Sequence, residues 1–481
     1  MSTPLAGLLL GAGASYEIGM PLVWDITAEL RGWLTSEKLR SLNTGWRAQG
    51  TGFSDVVIDE LAHVLLIPEM HYENILGYLE TQFRRNTPFR REYHGLYSWL
   101  VEMVYHILCL RHTNNRQYVK RNLRYYEGIS QLVAQNLPLW VFSLNHDVII
   151  EMLTAQFNIP LNCGFSGERV TLPRRDKQGV KTGELVGEVL SGEDIDRGAF
   201  HFFPLGTPGV NLLKIHGALD VFTFRDGKDL LRLLPNQKNV SDVIEVLQAA
   251  NEELVCILAM SPDRVVKSTN EITYADDEGE MQFLRRSLLA GAYKFDSRMS
   301  QVLPFRVLDS FRANINYVSS LICIGYGFGD MHINEVIRMW LEAGADRELE
   351  IVGPGTKGVP SFLLHIAPQV VLKDMTATEY LDSRAGIVRS GHDCLEKRLS
   401  AYTRQCGNGT AQAEMQTFVR QQMERVKAAL IEKIGSFPIR NGDLDLDSLG
   451  MTAEELANHC MSESRGDIDD ILETFLDSKG A

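Results

Sequence analysis

The sequence predicts an α/β fold: a Rossmann-like, doubly wound parallel sheet with a large helical insertion and a C-terminal helical region. Three observations predict it. Short apolar runs at Leu8–Leu10, Leu139–Phe142, Leu212–Ile215, Leu321–Ile324 and Leu349–Val352 have the length and unbroken hydrophobicity of strands buried on both faces. Each run ends at a glycine or a polar turn, so the unusual residues gather at the C-terminal edge, where open α/β sheets bind ligands. The long stretch between the first two runs has helical spacing throughout, which reads as an inserted helical layer.

Taken in order, Leu8-Leu9-Leu10 runs into Gly11-Ala12-Gly13-Ala14-Ser15, a strand-to-helix junction whose missing Cβ atoms suit close approach to a phosphate. The third glycine of a dehydrogenase fingerprint is absent, because that position holds Tyr16 and the next glycine is Gly19. Tyr16–Leu22 reads as a loop, and Val23–Trp33 resumes a helical pattern. From about residue 35 to 135 apolar residues recur at helical spacing: Val56, Leu61, Val64 and Leu65; Ile75, Tyr78 and Leu79; Leu96, Leu100, Met103, Val104 and Leu108. Residues 165–205, rich in glycine, charge and short alternating runs such as Lys181–Val189, read as hairpins or a flap. The catalytic-type domain is expected to span residues 1–400. Beyond it, Met415, Phe418, Val419, Val426, Leu430 and Ile434 mark an amphipathic helix, broken at Pro438 and Gly442. Residues 443–481 form an acidic tail, read either as a solvated helical end or as a docking element for a basic surface.

Composition narrows the function classes. The chain has 481 residues, 44% hydrophobic, and a formal net charge of −14, so the footprint of a general nucleic-acid binder is missing and no direct nucleic-acid partner is expected. Its 7 cysteines are scattered singly without a Cys-x-x-Cys pair, which argues against a thiolate zinc centre and for a reducing compartment. No basic segment precedes the first apolar run and no apolar stretch is long enough to span a bilayer, so a cytoplasmic protein without a membrane partner is expected.

Four strand ends carry residues with chemical potential. Asn145, in Ser143-Leu144-Asn145-His146-Asp147, and His216, in Lys214-Ile215-His216-Gly217, supply an amide and an imidazole. Each alone reads as a turn former or a structural histidine. Gly325-Tyr326-Gly327-Phe328-Gly329-Asp330 repeats the strand-glycine-helix pattern of the Gly11 loop. Together on one sheet edge, the four junctions outline a dinucleotide site without the parts for hydride transfer.

These residues resemble the sirtuin-like domain of bacterial antiphage NAD hydrolases. The resemblance runs from about Leu8 to Asn334 and rests on the Gly11–Ser15 run with Gly19 and Pro21, on Glu73-Asn74-Ile75-Leu76, on Asn145-x-Asp147, on Lys214–Gly217, and on Gly325–Asp330 with His332-Ile333-Asn334. It implies NAD+ as substrate, Asn145 and His216 as the catalytic pair, and Gly11, Ala12, Gly13, Ser15, Pro21, Asp147, Gly325, Gly327, Phe328 and Asn334 as residues that hold the dinucleotide. The four zinc cysteines usual in protein-deacylating sirtuins are absent, and no metal is expected. His146 stands where the family commonly has an aromatic residue.

The implied reaction is NAD+ glycohydrolysis to nicotinamide and ADP-ribose in abortive infection, gated by a trigger. A homo-oligomer and a HerA-type ring ATPase partner are further implications of the resemblance. An NAD-dependent deacylase, a silent NAD or ADP-ribose sensor, and a cyclase or ADP-ribosyl transferase remain as alternatives. Asp147 is expected to brace its loop, and Gly217 to leave room for substrate.

Overall fold

The computed structural model describes residues 5–253 apart from 166, 176–179 and 226, then 256–258, 261–268, 271–275, 281–288 and 294, and 305–480 apart from 436–437, 441–442, 453–454 and 456–467. Its centre is a seven-stranded, wholly parallel sheet. The strands, in chain order, are β1 (Ala6–Leu10), β2 (Leu139–Ser143), β3 (Leu161–Asn162), β4 (Val210–Lys214), β5 (Ser320–Ile324), β6 (Glu348–Val352) and β7 (Val370–Lys373). In space they run β7-β6-β5-β1-β2-β4-β3. The chain therefore leaves β1 first on one side, for β2, and later returns on the other, for β5. That reversal opens a crevice at the C-terminal end of β1.

Alternation along each strand builds the two faces. Leu8, Leu10, Val141, Leu212, Ile322 and Ile324 enter one core cluster, whereas Leu9, Trp140, Phe142, Leu213, Leu321 and Cys323 enter the other. A side-chain period of two with apolar residues at every position gives a strand buried on both sides, which is why these runs lack polar alternation.

Between β1 and β2 the chain forms the helical layer, with helices at Val23–Trp33, Ser36–Ala48, Asp55–Leu65, Tyr72–Arg84, Arg90–Asn114, Arg116–Asn122 and Ile129–Gln135. Leu96, Leu100, Val104 and Leu108 recur every fourth residue on the buried face of the longest of them. Val56 departs from the expected pattern. It is exposed, and Val57 and Ile58 turn inward instead. Arg31 ties the layer together by donating from Nε to Leu65 O (2.8 Å), a carbonyl left open at the end of Asp55–Leu65, and from Nη2 to Met70 O (2.8 Å), in the turn before Tyr72–Arg84. The stretch read as a loop after Ser15 is in part a 3₁₀ turn, Ala12–Ile18, closed by Gly19 at φ 100°.

A second sheet was legible in the sequence only at its first hairpin. Eight antiparallel strands run in the order Glu168–Arg175, Lys181–Leu190, Asp229–Leu234, Val221–Phe224, Met281–Arg286, Glu271–Ala275, Ser261–Ser268 and Cys256–Leu258. The hairpin of residues 165–205 is its first edge, with Glu168 paired to Val189 and Leu172 to Leu185. Leu172, Leu185, Val189, Phe222, Leu231, Leu233 and Leu284 form a separate core under the helix Val240–Glu253.

The chain divides into two compact units, residues 1–387 and 388–481. The division at residue 400 read from the sequence falls inside the helix Gly391–Cys406. The second unit holds that helix, Asn408–Gly435 and Ile468–Lys479, around Leu395, Tyr402, Ala411, Phe475 and Leu476. Met415 and Phe418 pack against this core. The side chains of Val426, Leu430 and Ile434, like Gly442, lie outside the described residues. Acidic tail residues find basic partners within the unit, Asp469 at 2.8 Å from His392 and Asp477 at 2.7 Å from Arg398. Among the described residues no helix is long and apolar enough to cross a membrane.

Candidate functional site

The C-terminal ends of β1, β2, β4 and β5 meet around a cavity of about 390 Å³. Gly11, Ala12, Pro21, Asn145, Asp147, His216, Gly325 and Gly327 line it, with Met20, Trp24, His71, Tyr72, Glu73, His146, Lys294, Tyr326 and Asp330. Its size falls within the ordinary range of small-molecule pockets.

Backbone proximity explains the glycines on one side. A Cβ on Gly11 would stand 2.6 Å from Gly325 O, and one on Gly325, which sits at φ 65°, would stand 2.3 Å from Ala14 N. The two loops are pressed backbone to backbone. Gly11 N donates to Ile324 O and Gly13 N to Gly325 O, both at 3.0 Å, so these two amides serve the loop pairing and are not phosphate donors. Gly13 and Ser15 stand behind the cavity wall. Phe328 and Asn334 do as well: Phe328 has φ 56°, uncommon for an aromatic residue, and Asn334 Nδ2 holds its carbonyl at 2.8 Å. Asn334 Oδ1 accepts from the Tyr326 hydroxyl at 3.1 Å.

Asn145 is buried and its amide is locked. Nδ2 donates to Gly11 O (2.9 Å) and to Ser15 Oγ (3.1 Å), while the Asn145 backbone N–H donates to Ser143 Oγ (3.2 Å). With both amide hydrogens committed to the β1 loop, Oδ1 is the polar atom that Asn145 brings to a ligand. Asp147 braces the loop as its Oδ1 accepts from Ile149 N at 3.1 Å, starting the helix Ile149–Gln156. Lys214, at the end of β4, donates to the Asp147 carbonyl.

His216 is 2% exposed, and its Nε2 lies 3.0 Å from Nε2 of His332. Burial and then Lys294 push the His216 imidazole well below its ordinary range, so it is neutral at working pH. Burial likewise brings His332 down to about 4 against the pull of Asp330. His146, whose ring faces Gly217 O at 3.4 Å, is also brought to about 4 by burial and Lys294.

Lys294 is the charge that organises this wall. Its Nζ sits 2.7 Å from Glu73 Oε1 and 3.1 Å from Asp330 Oδ1. Burial opposes the ammonium, but the two carboxylates outweigh it and hold it protonated. Burial also opposes the Asp330 carboxylate, and the Lys294 ammonium outweighs it and keeps Asp330 ionised far below its ordinary value. The ligand-type atoms of His216, Asp330 and His332 lie within 4.8 Å of one another, a spacing that a transition-metal ion can bridge. Lys294 already neutralises Asp330, so the donor set fits an ion poorly.

Gly217 does not leave room for a substrate. At φ 84°, a Cβ there would stand 2.0 Å from Ser287 O, so the glycine is required by the antiparallel sheet packed behind it. Lys294, Tyr72 and Trp24 escaped the sequence reading, because none falls in a strand-end motif. Glu73, Asp330 and His332 were visible only within the segments that carried the resemblance.

Comparison with known proteins adds little to this geometry. No protein-family model and no curated protein matches the chain. One similar solved structure comes from work on the structural basis for the mechanism and regulation of Sir2 enzymes. The likeness covers 80% of this chain and 92% of the other, at 14% identity and a TM-score of 0.33. It carries no residue assignment.

Proposed function

We propose that this protein is an NAD+ glycohydrolase that cleaves the nicotinamide–ribose bond to give nicotinamide and ADP-ribose. The observation that carries the reading is the meeting of the Asn145 amide and the neutral His216 imidazole in one cavity, walled by the Gly11 and Gly325 loops. Nicotinamide departs neutral from a cationic ring and needs little acid help. The ribose carbon becomes oxocarbenium-like, so the protein has to orient the sugar and deliver one water. Asn145 Oδ1 accepts from a ribose hydroxyl or from that water and fixes its direction. His216, uncharged at neutral pH, accepts the proton as the new C–O bond forms, a role typically worth about 10²–10⁴ in rate. Ala12, Pro21 and Gly327 border the space for the dinucleotide, with Trp24 and Tyr72 as apolar walls.

In this reading the enzyme is an NAD-depleting effector of antiphage defence in the cytoplasm, held inactive until a trigger or partner acts. A homo-oligomer and a HerA-type ring ATPase are the partners that the sequence resemblance suggests. The second reading is a silent NAD or ADP-ribose sensor. It is favoured by the His216 to His332 contact, which occupies one imidazole nitrogen.

The test is nicotinamide release from NAD+ by the purified protein, alone and with the products of neighbouring genes, beside Asn145→Ala and His216→Ala. Release that both substitutions abolish in folded protein supports the hydrolase. Binding of NAD+ without release in any mixture supports the sensor.

A further inference from the structure

The cavity around Asn145 and His216 has a charge balance that suits a cation better than a phosphate. Among the described residues its wall holds three carboxylates, those of Glu73, Asp147 and Asp330, against the single ammonium of Lys294, and no arginine. His71, His146 and His216 line it too, but burial holds all three below their ordinary range, so they add no charge. The amides of Gly11 and Gly13 are spent on Ile324 O and Gly325 O. We propose that this cavity recognises an N-ribosylpyridinium by its positive charge, and that the protein therefore also cleaves nicotinamide riboside, which carries neither phosphate nor adenosine. The cleavage rests on the glycohydrolase reading, whereas the recognition of a cation does not.

Three acceptors are open to such a ligand. Lys294 Nζ is held by Glu73 Oε1 and Asp330 Oδ1, and among the described residues none donates to Glu73 Oε2 or Asp330 Oδ2. Neither of these oxygens is sealed off, since the two side chains are 22% and 20% exposed, against 4% for Lys294 between them. The triad thus presents carboxylate rather than ammonium to open space and keeps a surplus negative charge. Asn145 Oδ1 is the third acceptor, on a buried side chain that lines the cavity and whose two amide hydrogens are committed elsewhere.

A pyridinium ring joined to a ribose matches this wall. A cleft lined by one sign of charge concentrates the opposite ion, and the ribose hydroxyls donate to Asn145 Oδ1. In the reaction the water oxygen bonds to C1′ as the bond from C1′ to the ring nitrogen breaks. The electron pair of that bond goes to the ring, which leaves neutral, and the water proton goes to His216. Positive charge passes to the ribose carbon on the way, where Asp330, with a carboxylate oxygen within 4.8 Å of a His216 ring nitrogen, stabilises it. None of these steps uses the pyrophosphate or the adenosine.

Calorimetry of the full chain with two uncleavable probes, the 1-methylnicotinamide cation and neutral nicotinamide, tests the recognition. The cation is expected to bind at least tenfold more tightly. Glu73→Gln and Asp330→Asn should each weaken the cation at least fivefold and leave nicotinamide as it was, a split that misfolding does not produce. The two substitutions are separate arms, so the test survives if one variant fails to fold. Nicotinamide riboside should release nicotinamide with kcat/KM within about tenfold of that for NAD+. Equal binding of the two probes, or variants that bind the cation like wild type, overturns the proposal. Cleavage of NAD+ without cleavage of the riboside overturns it as well and leaves the glycohydrolase standing. Cleavage of neither, with the cation still preferred, overturns the glycohydrolase and the riboside activity and leaves the cation site.

Discussion

His216 Nε2 and His332 Nε2 lie 3.0 Å apart although 116 residues separate them in the chain. Two ring nitrogens at that distance need one proton between them, so one ring donates and the other accepts. Neither ring is charged near neutral pH, because burial lowers both. The contact thus couples the tautomer of His216 to that of His332.

Removing that partner should disturb the chemistry more than the binding. His332→Ala is expected to lower kcat for nicotinamide release by ~10–100-fold with a small change in KM, and His332→Gln, which keeps a donor and an acceptor, should recover part of it. Steady-state kinetics decide the matter. Wild-type kcat in folded His332→Ala would reduce the contact to packing.

Lys294 depresses His146, His216 and His332 together, second to burial for the first two. Lys294→Met removes this repulsion and leaves Asp330 unneutralised, and both changes raise the imidazole values. The acid limb of the pH–rate profile should move to higher pH by about 1 unit or more. A loss of activity with an unshifted limb would assign Lys294 to folding alone.

Acid should destabilise the protein before it reaches the carboxylate range. His112, His146, His216 and His332 all lie below their ordinary value in the folded chain, burial being the first cause in each. Unfolding returns them to about 6.5, so below that pH the unfolded chain binds more protons and stability falls with pH, until the folded values near 4 are reached for His146 and His332. Each fully buried histidine contributes a slope of about 1.4 kcal/mol per pH unit. Glu151, raised to about 7, acts in the opposite sense because its folded form holds the extra proton, and it offsets one histidine. Urea midpoints should therefore decline between about pH 7 and pH 5. A level or rising midpoint would contradict the neutral, buried histidines.

Chelators should leave turnover unchanged. The ammonium of Lys294, 3.1 Å from Asp330 Oδ1, takes the place of a cation beside His216 and His332. Loss of nicotinamide release in EDTA, restored by one added divalent metal, would turn these three residues into a metal centre.

Much of this is legible in the sequence alone. Local apolar runs identify β1, β2, β4, β5 and β6, and strand ends single out Asn145, His216 and the Gly11 and Gly325 loops as neighbours on one edge. Of the antiparallel sheet only the hairpin of residues 165–205 was legible; the rest was not, because its strands mix buried charge with apolar residues, as in Asp229–Leu234 with buried Arg232. Gly217 was misread for a related reason. Its constraint comes from Ser287, on a segment whose pairing no local pattern announces.

The sequence by itself determined the doubly wound sheet, the helical layer and the strand-end placement of the polar residues, since periodicity and turn chemistry are local properties. Only the tertiary structure decided that Gly11 and Gly325 serve each other, that Lys294 reaches Glu73 across 221 residues, and that His332 meets His216. Those contacts depend on how distant strand ends are superposed, and neither spacing nor composition encodes that superposition.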